Sequence, residues 1–142
     1  MSQQNARNYY LEDCAAFSNT RVRLAISIDG TETLDDLKRL PELDPVMLLN
    51  DPDASLSHLH SSRRLFEVLK SEGMSYPVIH VFSSATIDDK NELALQIGMR
   101  LGSLLTDGLG DGVCLDVKAT PAKRFSVNEL RELSFGLLQG CR

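Results

Sequence analysis

The sequence predicts an α/β fold made of four consecutive β/α units that share one parallel sheet. Short apolar segments alternate with helical patterns four times, and the connections between them are only a few residues long. Right-handed crossovers then place the strands in the order 1-2-3-4. This arrangement is half of a TIM-like barrel, and a small open α/β sandwich is the alternative.

Composition narrows the class of protein. The chain has 142 residues, 42% of them hydrophobic and 25% charged, which suits one domain with its own core. A net charge of -5 argues against nucleic-acid binding, because such proteins usually carry a basic stripe. No apolar run is long enough to span a membrane, and the N-terminus lacks the apolar core of a secretory signal. A cytoplasmic protein without a membrane partner is therefore expected.

The cysteines give no sign of a disulfide framework or of a zinc site. Cys14, Cys114 and Cys141 are odd in number, widely spaced and outside any CxxC motif. Reduced thiols are the expectation.

The chain is expected to begin with a polar lead, residues 1–20, before a (β/α)4 domain at residues 21–142. The lead contains one short helical pattern, Tyr9–Phe17. The first strand, RVRLAISI at residues 21–28, alternates apolar with mixed positions, which is typical of an edge strand.

The next elements are a short helix and a buried strand. Thr31 or Thr33 is expected to cap the helix, whose leucines recur until Pro41 closes it. The second strand, Pro45–Asn50, is apolar almost throughout, a pattern that predicts burial on both faces of the sheet.

The third unit follows a proline-containing loop. A helix is predicted from about Ser57 to Ser71, and Gly73 ends it. The third strand is Tyr76–Phe82, where Pro77 is tolerated because it lies at the start.

The best-specified stretch is the long helix that begins after Asp88. Thr86 or Asp88 is expected to cap it. Its apolar face is formed by residues at three- and four-residue steps, with three neighbours that widen the stripe: Leu93, Ile97, Leu101 and Leu104, then Ala94, Gly98 and Leu105.

A glycine-rich turn, DGLGDG, joins this helix to the fourth strand, Gly112–Val117. Gly108 fits a left-handed helix cap, and Gly110 and Gly112 reverse the chain. A phosphate cradle is the functional alternative. It is disfavoured because these glycines lead into a strand and not into a helix N-terminus, so the turn is interpreted as structural.

The last predicted helix starts at Ser126, which forms a capping box with Glu129. Its apolar stripe is made of leucines: Leu130, Leu133, Leu137 and Leu138. The sequence ends at Cys141 and Arg142, directly after this pattern, and we therefore expect a piece of a longer protein.

Three segments occur in a recognisable order: SEGMSYPVIH, LGSLLTDGLGDGV and ELRELSFGLLQGCR. Together they resemble the C-terminal part of the inserted middle domain in the long form of 4-hydroxy-3-methylbut-2-enyl diphosphate synthase, an oxidoreductase of the non-mevalonate pathway of isoprenoid biosynthesis. The resemblance covers Ser71–Arg142, and its best motifs are Asp107–Gly112 and Ser134–Arg142. Residues 1–70 match no motif and are assigned by continuity of the β/α pattern.

The resemblance implies where the chemistry of the parent enzyme lies. In that family a substrate-binding barrel and an iron-sulfur domain carry out the reductive ring opening of methylerythritol cyclodiphosphate. Three cysteines and a glutamate of the latter hold a [4Fe–4S] cluster. None of the three cysteines of this chain matches those positions. The resemblance therefore implies no catalytic residue, metal or cofactor here, an inactive isolated fragment, and the other domains of the parent chain as partners.

Ligand-site candidates nonetheless follow from the position of polar residues at the carboxyl ends of the predicted strands, where α/β proteins place their sites. The candidates are Asp29, Asp51, His80, Ser83 and Asp116. Such residues more often cap helices or solvate loops, and His80, inside an apolar strand, is more often a buried structural histidine. His58 and His60 do not share a helical face, which disfavours a metal pair.

Two functions from different classes remain open on the sequence. The favoured one is a structural and interaction domain that braces the two catalytic domains of the isoprenoid enzyme. The alternative is a stand-alone small α/β enzyme or ligand-binding module with its site at the strand ends. A half-barrel would also leave one sheet face and two edges uncovered, which predicts a homodimer for the isolated chain.

Overall fold

The computed structural model describes residues 24–84, 87–118 and 125–141. The strands are β1 (Ala25–Ile28), β2 (Met47–Asn50), β3 (Val78–Ser84) and β4 (Gly112–Val117). The helices are α1 (Leu34–Lys38), α2 (Leu40–Leu43), α3 (His58–Ser71), α4 (Lys90–Ile97), α5 (Ser103–Thr106) and α6 (Val127–Gly140), with a π-helical turn, Gly98–Gly102, between α4 and α5. Several predicted features lie outside the described residues. They are the lead with its helix Tyr9–Phe17, the first residues of the predicted first strand, the Thr86 cap and most of the loop before α6.

The four strands form one parallel sheet in the order β1-β2-β3-β4. Ile26 pairs with Leu48, Leu48 with Val78, and His80 with Val113. The predicted fold class, four consecutive β/α units on a parallel sheet, is confirmed, and β1 lies at an edge as expected. β3 extends two residues beyond the predicted end at Phe82 and begins after Pro77.

One face of the sheet is packed against the helices and is called the covered face. Its strand residues are Ile26, Ile28, Leu48, Asn50, Val78, His80, Phe82, Val113, Leu115 and Val117. In one cluster β1, β2 and Val78 pack against α1, α2 and α3; in the other, Phe82 and β4 pack against α4, the π turn, α5 and α6. The buried side chains of the described helices therefore all lie on the same side of the sheet.

The opposite side is called the open face. Its central positions are apolar and partly exposed: Met47, Leu49, Ile79 and Val81. None of these four belongs to either hydrophobic cluster. Around them lie exposed small or polar residues: Ala25, Ser27, Ser83, Cys114 and Asp116. One-sided helix packing is the arrangement of a half-barrel, whereas the alternative sandwich needs helices on both faces.

The prediction that the second strand is buried on both faces is wrong. Leu48 is fully buried, but Met47 and Leu49 are only partly buried, and Val46 is 36% exposed. The reason is that the described helices cover one face, so the continuous apolar run does not reflect two covering layers within these residues.

Pro41 does not close the first helix. Thr33 caps α1 in a capping box with Asp36, and α1 ends at Lys38. Pro41 lies in the first turn of a second short helix, α2, where its missing N–H costs nothing. The other predicted cap, Thr31, bonds through its hydroxyl to the carboxylate of Asp29.

The long helix is present, with Leu93, Ile97, Leu101 and Leu104 all buried. Asp89, one residue after the predicted Asp88, is the cap, because its carboxylate accepts the N–H groups of Asn91 and Glu92. Ala94 is exposed and does not widen the buried stripe.

The last helix begins as predicted, since Ser126 and Glu129 form a capping box. Its leucines contact the second cluster but none of its residues is fully buried. Val127 is 82% and Phe135 58% exposed. Within the described ranges, no helix is long and apolar enough to cross a membrane.

Candidate functional site

Three aspartates converge at the carboxyl end of the open face. Asp29 follows β1, Asp51 follows β2, and Asp116 lies near the end of β4 opposite Ser83. Burial and the negative charges of Asp116 and Asp29 raise the pKa of Asp51. The structure thus brings together Asp29, Asp51, Ser83 and Asp116, as the parallel sheet predicts.

Glu32 fixes the turn after β1 and was missed in the sequence. Its carboxylate accepts the N–H groups of Asp29 (2.7 Å) and Gly30 (2.9 Å). Burial nevertheless raises the pKa of Glu32, and these hydrogen bonds oppose the rise. The signal available in the sequence is the Asp-Gly turn followed two residues later by an acid.

The aspartates do not make a metal centre. In the described part of the chain, no group of three or more His, Cys, Asp or Glu side chains has the arrangement needed to hold a metal ion. The three aspartates form a negatively charged rim at the carboxyl end of the open face. This rim repels phosphate-bearing ligands.

His80 lies on the covered face, apart from the aspartates. Its Nε2 is 2.8 Å from the carbonyl oxygen of Leu109, and its Nδ1 is 2.9 Å from the amide nitrogen of Asn50. Because the carbonyl only accepts, Nε2 carries the proton and Nδ1 accepts from Asn50. Burial lowers the pKa of His80, so the ring is neutral at pH 7.

The hydrogen bonds of His80 extend into α3. Asn50 donates a second hydrogen bond, 2.7 Å long, to the hydroxyl of Ser62. All three side chains are at most 1% exposed. The network links β2, β3, α3 and the glycine turn, and both ring nitrogens of His80 are used, so His80 has no free atom for a ligand. Sequence reasoning missed Ser62, which is twelve residues from Asn50 and carries no motif.

The glycine turn is built around this network. Gly108, at a φ of 74°, ends the helix with hydrogen bonds from Gly108 N to Leu105 O (3.0 Å) and from Leu109 N to Leu104 O (2.8 Å). A Cβ on Gly110 would lie 2.5 Å from Nε2 of His80. Asp111 then exchanges two hydrogen bonds with Val78, one through its backbone and one through its side chain. The turn is thus hydrogen-bonded to the sheet, in keeping with the structural interpretation.

A small cavity of about 340 Å³ opens between the start of α3 and the π turn. Its lining residues include Asp53, His58, Met99 and Arg100. Burial, together with His80 and Arg100, lowers the pKa of His58 to about 4. The Nε2 atom of His58 is buried without a hydrogen-bond partner. The ring of His58 lies 5.8 Å from the ring of His80. His60, by contrast, is exposed. His58 and His60 therefore lie in different surroundings, the first partly buried and the second exposed.

The described thiols do not fit an iron-sulfur cluster. Cys114 is exposed on the open face of β4, and Cys141 caps the C-terminal end of α6. They lie on different elements and belong to no ligand group in the described ranges. A cluster needs several thiolates around one centre.

Comparison with known proteins gives the relatives of this chain. It is 41% identical over 123 residues, 84% of its length, to the chloroplastic 4-hydroxy-3-methylbut-2-en-1-yl diphosphate synthase (ferredoxin) of Arabidopsis thaliana. The corresponding protein of Oryza sativa subsp. japonica is 38% identical over 84% of the chain. The chain matches a segment of this synthase family. The resemblance found in the sequence is thereby confirmed.

The match to the diphosphate synthases extends to bacteria and covers only part of each relative. The synthase (flavodoxin) of Protochlamydia amoebophila is 38% identical over 112 residues, 78% of the chain. The chain spans 16% of the length of both plant synthases and 15% of the bacterial one. No family model matches the chain, and no solved structure matches it.

Proposed function

We propose that this chain is a structural and interaction segment of 4-hydroxy-3-methylbut-2-en-1-yl diphosphate synthase and braces the catalytic domains of that enzyme. The observation that carries this proposal is the 41% identity over 84% of the chain to a synthase of which it spans only 16%. Among the residues that the structure describes, no group of side chains has an arrangement suited to the reaction.

The chemistry of the candidate residues supports a non-catalytic role. The substrate of the parent reaction is a cyclic diphosphate, which the rim of Asp29, Asp51 and Asp116 repels. His80, one of the ligand-site candidates, is neutral, buried and hydrogen-bonded through both ring nitrogens. The reductive ring opening and the [4Fe–4S] cluster are therefore assigned to other parts of the parent chain.

The alternative, a small enzyme or ligand-binding module, needs the strand-end residues to act together. His80 lies on the covered face, whereas Asp29, Asp51 and Asp116 belong to the open face. The sheet separates them, so this geometry favours the structural role over the alternative.

The first experiment tests the chemistry of the isolated chain. The protein is purified anaerobically, supplied with iron and sulfide, and assayed with methylerythritol cyclodiphosphate. We expect a colourless protein without turnover, because the described thiols do not surround one centre. Stoichiometric iron-sulfur absorbance, or conversion of the cyclodiphosphate, would contradict the proposal.

The second experiment tests bracing in the full-length enzyme. Phe82→Ala removes a ring that is 1% exposed at the centre of the second cluster and should lower the melting temperature and the active fraction, with KM unchanged. The control is the double variant Asp51→Asn and Asp116→Asn, which should leave kcat and KM unchanged. A loss of kcat in the control would assign a catalytic role to the strand ends.

Partners and compartment complete the proposal. In the intact enzyme the partners are the other domains of the same chain, and the isolated chain forms a homodimer. Nucleic acid and membranes have no role. The expected cytoplasmic location stays a prediction; the two plant relatives carry the word chloroplastic in their names.

A further inference from the structure

The small cavity between the start of α3 and the π turn has features of a ligand site. Its lining comes from three elements: the loop between β2 and α3, the first turn of α3, and Met99 and Arg100 of the π turn. Its volume of about 340 Å³ falls within the size range of small-molecule sites. Single π-helical turns inside α-helices often occur at functional sites.

Arg100 supplies a cation whose hydrogen-bond donors are unused. Its guanidinium carbon lies over the ring of the buried Phe82, 5.1 Å from the ring centre. Among the residues that the structure describes, Arg100 has no carboxylate or hydrogen-bond partner. The arginines of α3 differ, since Arg63 forms an ion pair of 2.6 Å and Arg64 donates a 2.9 Å hydrogen bond to a backbone carbonyl. The guanidinium of Arg100 is therefore available to a ligand.

His58 adds a second group without a partner. Its side chain lines the cavity, and its Nε2 atom is buried with no hydrogen bond. A buried polar atom left in this way is destabilising, which indicates a partner from outside the chain. Burial is the main cause of the lowered pKa of His58, and the two titratable neighbours that add to it, His80 and Arg100, are both basic. The surroundings of His58 therefore favour a negatively charged ligand.

The first turn of α3 contributes backbone donors to the same cavity. The first N–H groups of a helix have no acceptor within the helix, and they lie at the positive end of its dipole. The hydroxyl of Ser57 accepts the N–H of His60 at 3.5 Å. Those of His58 and Leu59, both in the lining, have no acceptor among the described residues. The helix end thus adds to the attraction of Arg100 and His58.

Asp53 also lines the cavity and opposes an anion there. Its Oδ1 atom accepts the N–H of Ser55 at 2.9 Å and the hydroxyl of Ser55 at 2.6 Å, so the carboxylate is held by its own loop. It forms no ion pair with Arg100. A ligand with several oxygens on a compact group can therefore reach the donors on both helical elements.

We propose that this cavity binds the phosphate group of a small molecule, with the guanidinium of Arg100 as a two-point donor and the N–H groups of His58 and Leu59 as further donors. Arginine suits phosphate because its planar fork donates two parallel hydrogen bonds. The cavity lies on the covered side of the sheet, near His80 and Phe82, whereas the aspartate rim that repels phosphate belongs to the open face. The inference goes beyond the bracing role and does not depend on it.

NMR titration of the 142-residue chain at constant ionic strength tests the proposal. The backbone N–H signals of His58 and Leu59 should shift saturably with inorganic phosphate or with glycerol 3-phosphate, and the tighter of the two identifies the source of the group. Arg100→Gln should weaken binding about tenfold or more, because it removes charge-assisted hydrogen bonds. The matched control Arg131→Gln removes the same charge at an exposed position on α6 and should bind as the parent does.

A second measurement keeps the test valid if Arg100→Gln fails to fold. Phosphate should raise the pKa of His58 in the parent chain from about 4, because a bound anion favours the protonated ring, while the exposed His60 should titrate unchanged. Shifts that do not saturate, equal weakening by Arg131→Gln, or an unchanged pKa of His58 would overturn the site. Acetate that binds as tightly as phosphate would overturn the choice of ligand. The iron-sulfur assay does not involve this cavity, so the two proposals fail separately.

Discussion

The two faces of the sheet follow different physical rules. On the covered face, buried side chains pack in two clusters, and the buried His80, Asn50 and Ser62 bond to one another. On the open face, apolar side chains are only partly buried, and three carboxylates lie close together at one end. One face determines whether the segment folds, and the other determines what it contacts.

The comparison also explains why a histidine and an aspartate in neighbouring strands differ in role. His80 and Asp51 lie one position apart in the register of the sheet, because His80 pairs with Asn50. A step of one residue along a strand moves the side chain to the opposite face. Packing therefore buries His80 completely, whereas Asp51 remains partly exposed.

The largest effect is expected on the covered face, where Gly110→Ala should destabilise the fold by about 3 kcal/mol or more. The new Cβ would lie 2.5 Å from Nε2 of His80, and Gly110 has a φ of 117°, which an alanine rarely adopts. Urea unfolding measures the change. The control Gly136→Ala adds the same methyl group in an open helical position and should not destabilise the protein.

The second-largest effect is expected from acid, which should lower the stability of the folded chain by protonating a histidine packed on the covered side of the sheet. The folded-state pKa of His58 is about 4, below its usual 6.5, so the unfolded chain binds more protons between these values and stability falls as the pH falls through this window. Because the ring is only partly buried, the loss should be about 1 to 2 kcal/mol. His58→Gln should reduce the pH dependence of urea unfolding between pH 6.5 and 4; an unchanged profile would contradict this assignment. His60→Gln, at an exposed position, is the control.

A smaller cost is expected at the helix cap of the glycine turn. Gly108→Val should cost about 1 kcal/mol or more, because a β-branched residue is poorly tolerated at a φ of 74°. The surroundings do not contribute, since a Cβ at Gly108 would meet no atom within 4 Å. Thermal melts of Gly108→Val and of the helical control Gly136→Val separate backbone strain from the effect of valine itself. Equal melting temperatures would disprove the cap.

The smallest effect, with the opposite sign, is expected on the open face. The pKa of Asp51 is raised above its usual value of 3.8. At a pH just above 3.8, the folded state therefore binds more protons than the unfolded state. The folded chain then loses stability as the pH rises through the pKa of the folded state. Asp51→Asn should therefore stabilise the chain at pH 7 by a few tenths of a kcal/mol, because the group is still partly exposed and solvent screens its charge. Urea unfolding at pH 7 and at pH 3 measures the difference, which should vanish at the lower pH. Destabilisation at pH 7 would show that Asp51 has a favourable partner.

The fold was predictable from local patterns. The four β/α units, the capping box at Ser126 and the left-handed Gly108 each depend on residues close together in the sequence. The convergence of Asp29, Asp51 and Asp116 was also predictable, because a parallel sheet brings the carboxyl ends of its strands to one edge.

Features that depend on distant contacts were not predictable in this way. Asn50 and His80 meet across thirty residues, and Ser62 joins them from α3 without any motif. The apolar run at β2 indicated two covered faces, because hydrophobicity alone does not show which partner covers each side. Pro41 was read as a terminator, although the same residue also fits the first turn of a new helix.

The π turn at Gly98–Gly102 gives the longest helical stretch a tolerance for changes in length. Such a turn accommodates one residue more than the α-helical spacing requires, and Met99, within it, is 70% exposed. The stretch can therefore lose one residue here by becoming a regular α-helix. Leu93 and Leu104 would still face the sheet, and the glycine turn would still reach His80. A synthase segment one residue shorter at this point should keep the same topology.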